Sequence, residues 1–316
     1  MSELERLRET LYKIAELASS AQGDDYQDPN YGAGNGSSDA AANGDEVIVC
    51  TPKTLPKRLL ESAAKTAVEI NPMNAPAIGP LAALGRDFVA PPMFITLLTS
   101  KYWGNKPRKL SVSFMEQTSS ELRARILSHM NAWAKTSCVS FVETKGVGEV
   151  RISRGGGGYW SYLGTDILHI PQDSQTMNLE GFTMSTRESE FKRVVRHEAG
   201  HTLGFMHEHM RRELVVRIDP EKAYEYFLRT QGWDRRTVDQ QVLTPLDEGS
   251  IIGTPADETS IMCYQLPGEI THDGEPIIGG VDINRTDFDF AGRIYPKPGH
   301  LSSVIQETWE GELAAT

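Results

Sequence analysis

His197-Glu198-Ala199-Gly200-His201-Thr202-Leu203-Gly204-Phe205-Met206-His207-Glu208 is the stretch from which the rest of the chain can be read. Residues four apart on a helix stand one turn above each other, so His197 and His201 can aim two imidazole nitrogens at one point about 2 Å away. Gly204 can take the left-handed conformation that closes a helix and turns the chain back, bringing His207 to the same point as a third ligand. Three neutral imidazoles leave a fourth position for water, the pattern of a catalytic rather than a structural zinc site. Glu198 adjoins the first ligand without being needed for coordination, and is placed to take a proton from that water. The expected cofactor is one Zn²⁺ ion on His197, His201 and His207, with Glu198 as general base.

Working outward, Ser185-Thr-Arg-Glu188 predicts a capping box that opens the histidine-bearing helix, with Phe191, Val194, Val195, Ala199 and Leu203 as its buried stripe. A second capping box, Thr118-Ser-Ser-Glu121, predicts a helix whose Leu122, Ile126, Met130 and Trp133 share one face. Strands are expected at 110–114, 139–142, 149–153 and 166–170. The glycine run 155–158 marks a loop and not a phosphate cradle, since neither a Lys-Ser/Thr pair nor a helix follows it. Downstream, Ser260-Ile-Met262-Cys-Tyr264 offers a tight turn whose soft Met262 thioether can lie beneath the imidazoles as an apolar floor.

The long histidine motif with its following Glu208, joined to Ser-Ile-Met-x-Tyr, resembles the astacin branch of the metzincin metallopeptidases, particularly short bacterial-type members. The similarity runs over 101–296 and takes in Ser161-Tyr-Leu-Gly-Thr-Asp166, Thr176-Met-Asn-Leu179 and the closing 282–295 segment. The resemblance implies an α+β, zincin-like fold: a five-stranded twisted sheet, two long helices above a cleft, and an irregular C-terminal subdomain. It also implies zinc-dependent hydrolysis of peptide bonds, with Tyr264 as a switchable fifth ligand that steadies the oxyanion. In secreted relatives Glu208 anchors the processed amino terminus; here it can pair with Arg211 or Arg212. Cys263 stands where the family often has His, and Cys138 lacks the C-terminal partner that a family disulfide needs.

Residues 1–100 read as an N-terminal extension: an amphipathic helix at 3–19, a flexible linker at 22–44, a short strand at 46–50, a helix at 59–70 and a Pro-rich connector at 72–92. Relatives are commonly made as zymogens, and two switch devices are available here. Asp45, in a Gly-Asp pair, could place a carboxylate on the zinc, or Cys50 could supply a thiolate. The alternative for this extension is a docking or targeting module, and for the whole chain a catalytically silent, zinc-stabilised protein-binding module. Residues 297–316 form a C-terminal tail.

A net charge of −11 argues against nucleic-acid partners, which need clustered Lys and Arg. No apolar run is long enough to span a membrane. Three cysteines are too few for a disulfide scaffold. With no secretory signal at the start, the expectation is a cytoplasmic protein or one exported by a non-classical route. The expected partners are polypeptide substrates bound in extended form; oligomeric state is left open.

Overall fold

The structure, a computed structural model, describes residues 50, 53–75, 99–245 and 256–298. The expected helix at 3–19, the linker at 22–44, Asp45, most of the strand at 46–50, most of the connector at 72–92 and nearly all of the tail lie outside these residues.

A five-stranded sheet organises the upper half, in the order β2-β1-β3-β5-β4. Its strands are β1 (Arg108–Phe114), β2 (Val139–Glu143), β3 (Val150–Ser153), β4 (Tyr159–Ser161) and β5 (Met177–Leu179). β1 pairs in parallel with β2 and β3, and β3 with β5, while β4 runs antiparallel to β5 at the edge. Strands buried on both faces need continuous apolar runs, and all of β3 is buried, including Arg151. The Arg151 guanidinium is accommodated because it donates to the carbonyls of Gly148, Glu149, Ile170 and Ser174.

Helix α1 (Lys57–Ile70) precedes the sheet, and α2 (Ser120–Met130) packs on it through Leu122, Ile126 and Met130. The α2 cap falls one residue later than expected. Ser119, not Thr118, accepts from the Leu122 amide, while Thr118 bonds the Glu116 carbonyl. The histidine-bearing helix starts with an α-turn at Glu188–Glu190, widens into a π-type turn at Phe191–Val195, and resumes as α3 (Arg196–Thr202). Its expected Ser185 cap does not form. Arg187 occupies the cap position without a side-chain bond, and Glu188 is drawn outward by Arg125 and His129. The predicted stripe of Phe191, Val194, Val195, Ala199 and Leu203 is fully in the core.

The predicted strand at 166–170 is a 3-10 helix, Gly164–His169, instead. Gly164 has φ +45°, and a Cβ there would lie 1.9 Å from the Lys101 carbonyl oxygen, so tertiary crowding overrides the strand-forming composition. The lower half collects a second core around Phe227, Val242, Leu266 and Ile277, built from α4 (Pro220–Gln231) and the segments around it. Helix α5 (Arg285–Ile294) closes the described chain against the main core through Ala291.

Candidate active site

His197 and His201 project from α3, and His207 follows the turn that ends it. Gly204 has φ +93°; its amide bonds the His201 carbonyl, and the Phe205 amide bonds that of Gly200, the paired bonds of a Schellman cap. The remaining helix-end carbonyls are also satisfied, that of Thr202 by the Trp103 indole at 2.8 Å and that of Leu203 by the Tyr295 hydroxyl. The turn therefore has one geometry, and it brings the His207 Nε2 to 3.1 Å from that of His197 and 2.9 Å from that of His201.

The far side of two rings fixes the proton. The His197 Nδ1 lies 2.6 Å from the Ile261 carbonyl and the His201 Nδ1 2.7 Å from that of Phe205. A carbonyl only accepts, so each Nδ1 donates and each Nε2 presents a lone pair to the centre. Nitrogen lone pairs this close repel unless a proton or a cation lies between them. Two nitrogens on a tetrahedral zinc ion lie about 3.3 Å apart, close to what is observed. Burial also favours neutral rings, holding His197 down at about 4 and His201 and His207 well below the ordinary value.

Beneath them Met262 packs against Gly200, where a Cβ would sit 2.5 Å from the thioether sulfur. Its turn is fastened by Asp287 on α5, which accepts from the Ser260 hydroxyl at 2.6 Å and the Ile261 amide at 2.9 Å. Asp287 was not singled out from the sequence, although the Asn284-x-x-Asp287 capping box was a readable signal.

Residues 96–269 match the peptidase family described as Astacin. The chain belongs to the astacin family. It is similar to myroilysin, of which a solved structure is 28% identical with a TM-score of 0.59, covering 62% of this chain and 96% of that one. Zinc metalloproteinase nas-27 of Caenorhabditis elegans is 36% identical over 109 residues, taking in 34% of this chain and 24% of the nematode protein. The chain thus spans about a quarter of that relative's length. Astacins are zinc-dependent peptidases, and the three-histidine cluster is compatible with such a site.

Around this astacin site, Glu198 is 1% exposed and neither carboxylate oxygen has a hydrogen-bond partner among the described residues. Burial lifts it to about 8, against a lowering by the Cys50 thiol and by the Arg193 charge. A buried carboxylate is costly unless a polar neighbour, water or a cation completes it. Tyr264 lies with its ring 4.1 Å from that of His207, and its hydroxyl donates to the Cys50 carbonyl. Glu208 accepts from the Asp257 amide at 3.1 Å and is 3.9 Å from Arg211, one of the two arginines expected as its neighbour; burial raises it to about 7.

Cys50, the second residue considered as a switch from the sequence, lies in the site. One donor atom from each of Cys50, His197, His201 and His207 lies within 4.8 Å of the others, all buried. Burial, then the Glu198 carboxylate, pushes its thiol well up; a bound metal cation would act in the opposite direction. Lys53 forms a parallel bridge with Tyr162 just past β4, its amide donating to the Ser161 carbonyl. Leu55 and Ala63 pack on Ile170, Thr66 meets the His169 ring at 3.0 Å, and Asn74 bonds both the amide and the carbonyl of Tyr102. The outer edge of the sheet is therefore β4. In the 3-10 turn at 164–169, Asp166 is buried 3.2 Å from the Lys101 ammonium.

Proposed function

We propose that this chain is a zinc-dependent endopeptidase made as a zymogen, with a catalytic domain at 101–296 and an inhibitory segment before it. The observation that carries the reading is the convergence of three imidazole Nε2 atoms beside a buried carboxylate. His197, His201 and His207 would hold the zinc, and Met262 would floor them.

When bound, zinc supplies Lewis acidity to a water and to the scissile carbonyl. Glu198 takes the proton of the attacking water and passes it to the leaving amine nitrogen. Its raised affinity for a proton suits both halves of that transfer. Tyr264 donates its hydroxyl to the oxyanion once that hydroxyl is released from the Cys50 carbonyl. An extended polypeptide would add along β4, the edge now held by Lys53.

Inhibition follows from the same contacts. Cys50 would fill the fourth ligand position, Lys53 the strand edge, and the Cys50 carbonyl the Tyr264 hydroxyl. Supporting the thiolate over the Asp45 device is Cys50's place among the three histidines; Asp45 is outside the described residues.

The deciding experiment is Glu198→Ala, in a full chain carrying a site-specific protease sequence within 76–98 so that the leading segment can be released after folding. Zinc should stay stoichiometric while cleavage of a quenched-fluorescent peptide drops to background. An active variant overturns the general-base role. A parent that never cleaves peptides with zinc bound supports the silent binding module.

A further inference from the structure

His209 is a buried imidazole to which the proposed mechanism gives no task. It sits in the 3-10 turn Glu208–Met210 and is 0% exposed. Its ring lies face to face with the Tyr264 phenol, centroids 4.0 Å apart and planes 15° from parallel. On its far side Nε2 is 2.8 Å from the Gln241 carbonyl, in the π-type turn Asp239–Leu243. Because the carbonyl can only accept, Nε2 carries the proton and donates, and the ring is pinned from the lower subdomain.

The phenol it supports is held differently. The Tyr264 hydroxyl donates to the Cys50 carbonyl, a group of the leading segment, so release of that segment removes this hold. The stack with His209 involves no atom of the segment and survives release. Two nearly parallel rings in contact oppose tilting of the phenol but permit sliding within its plane.

We propose that His209 is a positioning residue for Tyr264: its imidazole, clamped by the Gln241 carbonyl, is the bed on which the phenol moves from Cys50 to the metal site. This rests on the reading of Tyr264 as a metal-reaching phenol. The residue type follows from the two demands, since the bed must offer a flat ring face to Tyr264 and an N–H to a buried carbonyl. A phenylalanine meets only the first, and an asparagine only the second.

The test uses the full chain with the protease sequence within 76–98 and Cys50→Ala, folded, then cut and freed of the leading segment. Loaded with copper(II), the parent should show a visible phenolate-to-copper charge-transfer band that Tyr264→Phe abolishes. His209→Ala should weaken that band several-fold at unchanged copper content. His209→Phe should retain most of it and His209→Asn should not; these two also serve if the alanine variant fails to fold. On the zinc-loaded protein, His209→Ala should lower kcat roughly three- to tenfold at unchanged KM. Combined with Tyr264→Phe it should cost nothing further, because His209 acts only through the phenol. A band indifferent to His209, asparagine outperforming phenylalanine, or additive losses in the double variant overturns the proposal while leaving Tyr264's role intact. A parent with no tyrosine-dependent band overturns both.

Discussion

Exchanging one sulfur for oxygen at position 50 should convert a silent chain into a leaking one. Cys50 is buried with its sulfur among the three histidine donors, so Cys50→Ser keeps the size and the backbone path but withdraws the soft anionic ligand. A complete four-ligand structural zinc site is worth about 10–16 kcal/mol, so one ligand accounts for about 3–4 kcal/mol. That shifts the closed-to-open ratio by roughly 10²–10³-fold. The other ties remain: the Lys53 amide on Ser161, Leu55 and Ala63 on Ile170, and Asn74 on Tyr102. The variant should therefore still close most of the time, and its activity should be a fraction of that of the freed enzyme.

The assay is hydrolysis of a quenched-fluorescent peptide by the uncut chain, scaled to the same protein after release of its leading segment. Wild type should sit near background, with Cys50→Ser higher by about two orders of magnitude. Cobalt(II) exchanged into the uncut wild type should show a near-ultraviolet thiolate charge-transfer band that the serine variant lacks. Equal activities for the two uncut chains, with no thiolate band in wild type, would reduce Cys50 to an ordinary buried cysteine. Silence would then have to come from the strand edge and from the Cys50 carbonyl on Tyr264.

Two further perturbations probe the supports of the site. Asn74→Ala removes the bonds that this side chain, just past α1, makes to the Ala67 carbonyl and to both backbone groups of Tyr102, so the segment should loosen by about 1–3 kcal/mol. Amide exchange within 57–70 should quicken about tenfold or more, and unchanged protection would show that α1 is held by its apolar face instead. Gly200→Ala sets a methyl 2.5 Å from the Met262 sulfur and 3.2 Å from the Trp133 ring. It should lower stability by about 1–3 kcal/mol and hasten zinc loss to a chelator, whereas a wild-type melting point and metal retention would remove Met262 from beneath the helix.

The zinc-ligand candidates were legible because they are local. His197, His201 and His207 are joined by one helical turn and one glycine-closed cap, both governed by short-range geometry. Elements whose fate depends on distant partners were misread. The apolar run at 166–170 reads as a strand, but the Lys101 carbonyl over Gly164 and the Lys101 ammonium beside Asp166 bend it into a 3-10 turn. The π-type turn at Phe191–Val195 was invisible because its apolar spacing satisfies an α-helix equally well. His209 was passed over because, in sequence, it is one more histidine; its partners Tyr264 and Gln241 meet it only in the folded chain.

Cys50 marks the limit of sequence reading most sharply. The short apolar strand ending at Cys50 suggests a buried cysteine, but nothing in the sequence says which groups will bury it, and an isolated thiol beside a linker has many ordinary explanations. Its burial comes from the lower subdomain, where it joins the cluster of Leu266, Ile277 and Tyr264, while its chain direction comes from the parallel pairing of Lys53 with Tyr162 at the opposite wall. A residue gripped from both walls of a cleft cannot be placed until both walls are. The arrangement also explains why one short segment can oppose several parts of the machinery at once. Cys50 meets the three imidazoles through its sulfur and the phenol through its carbonyl, and Lys53, three residues on, meets the sheet at Ser161.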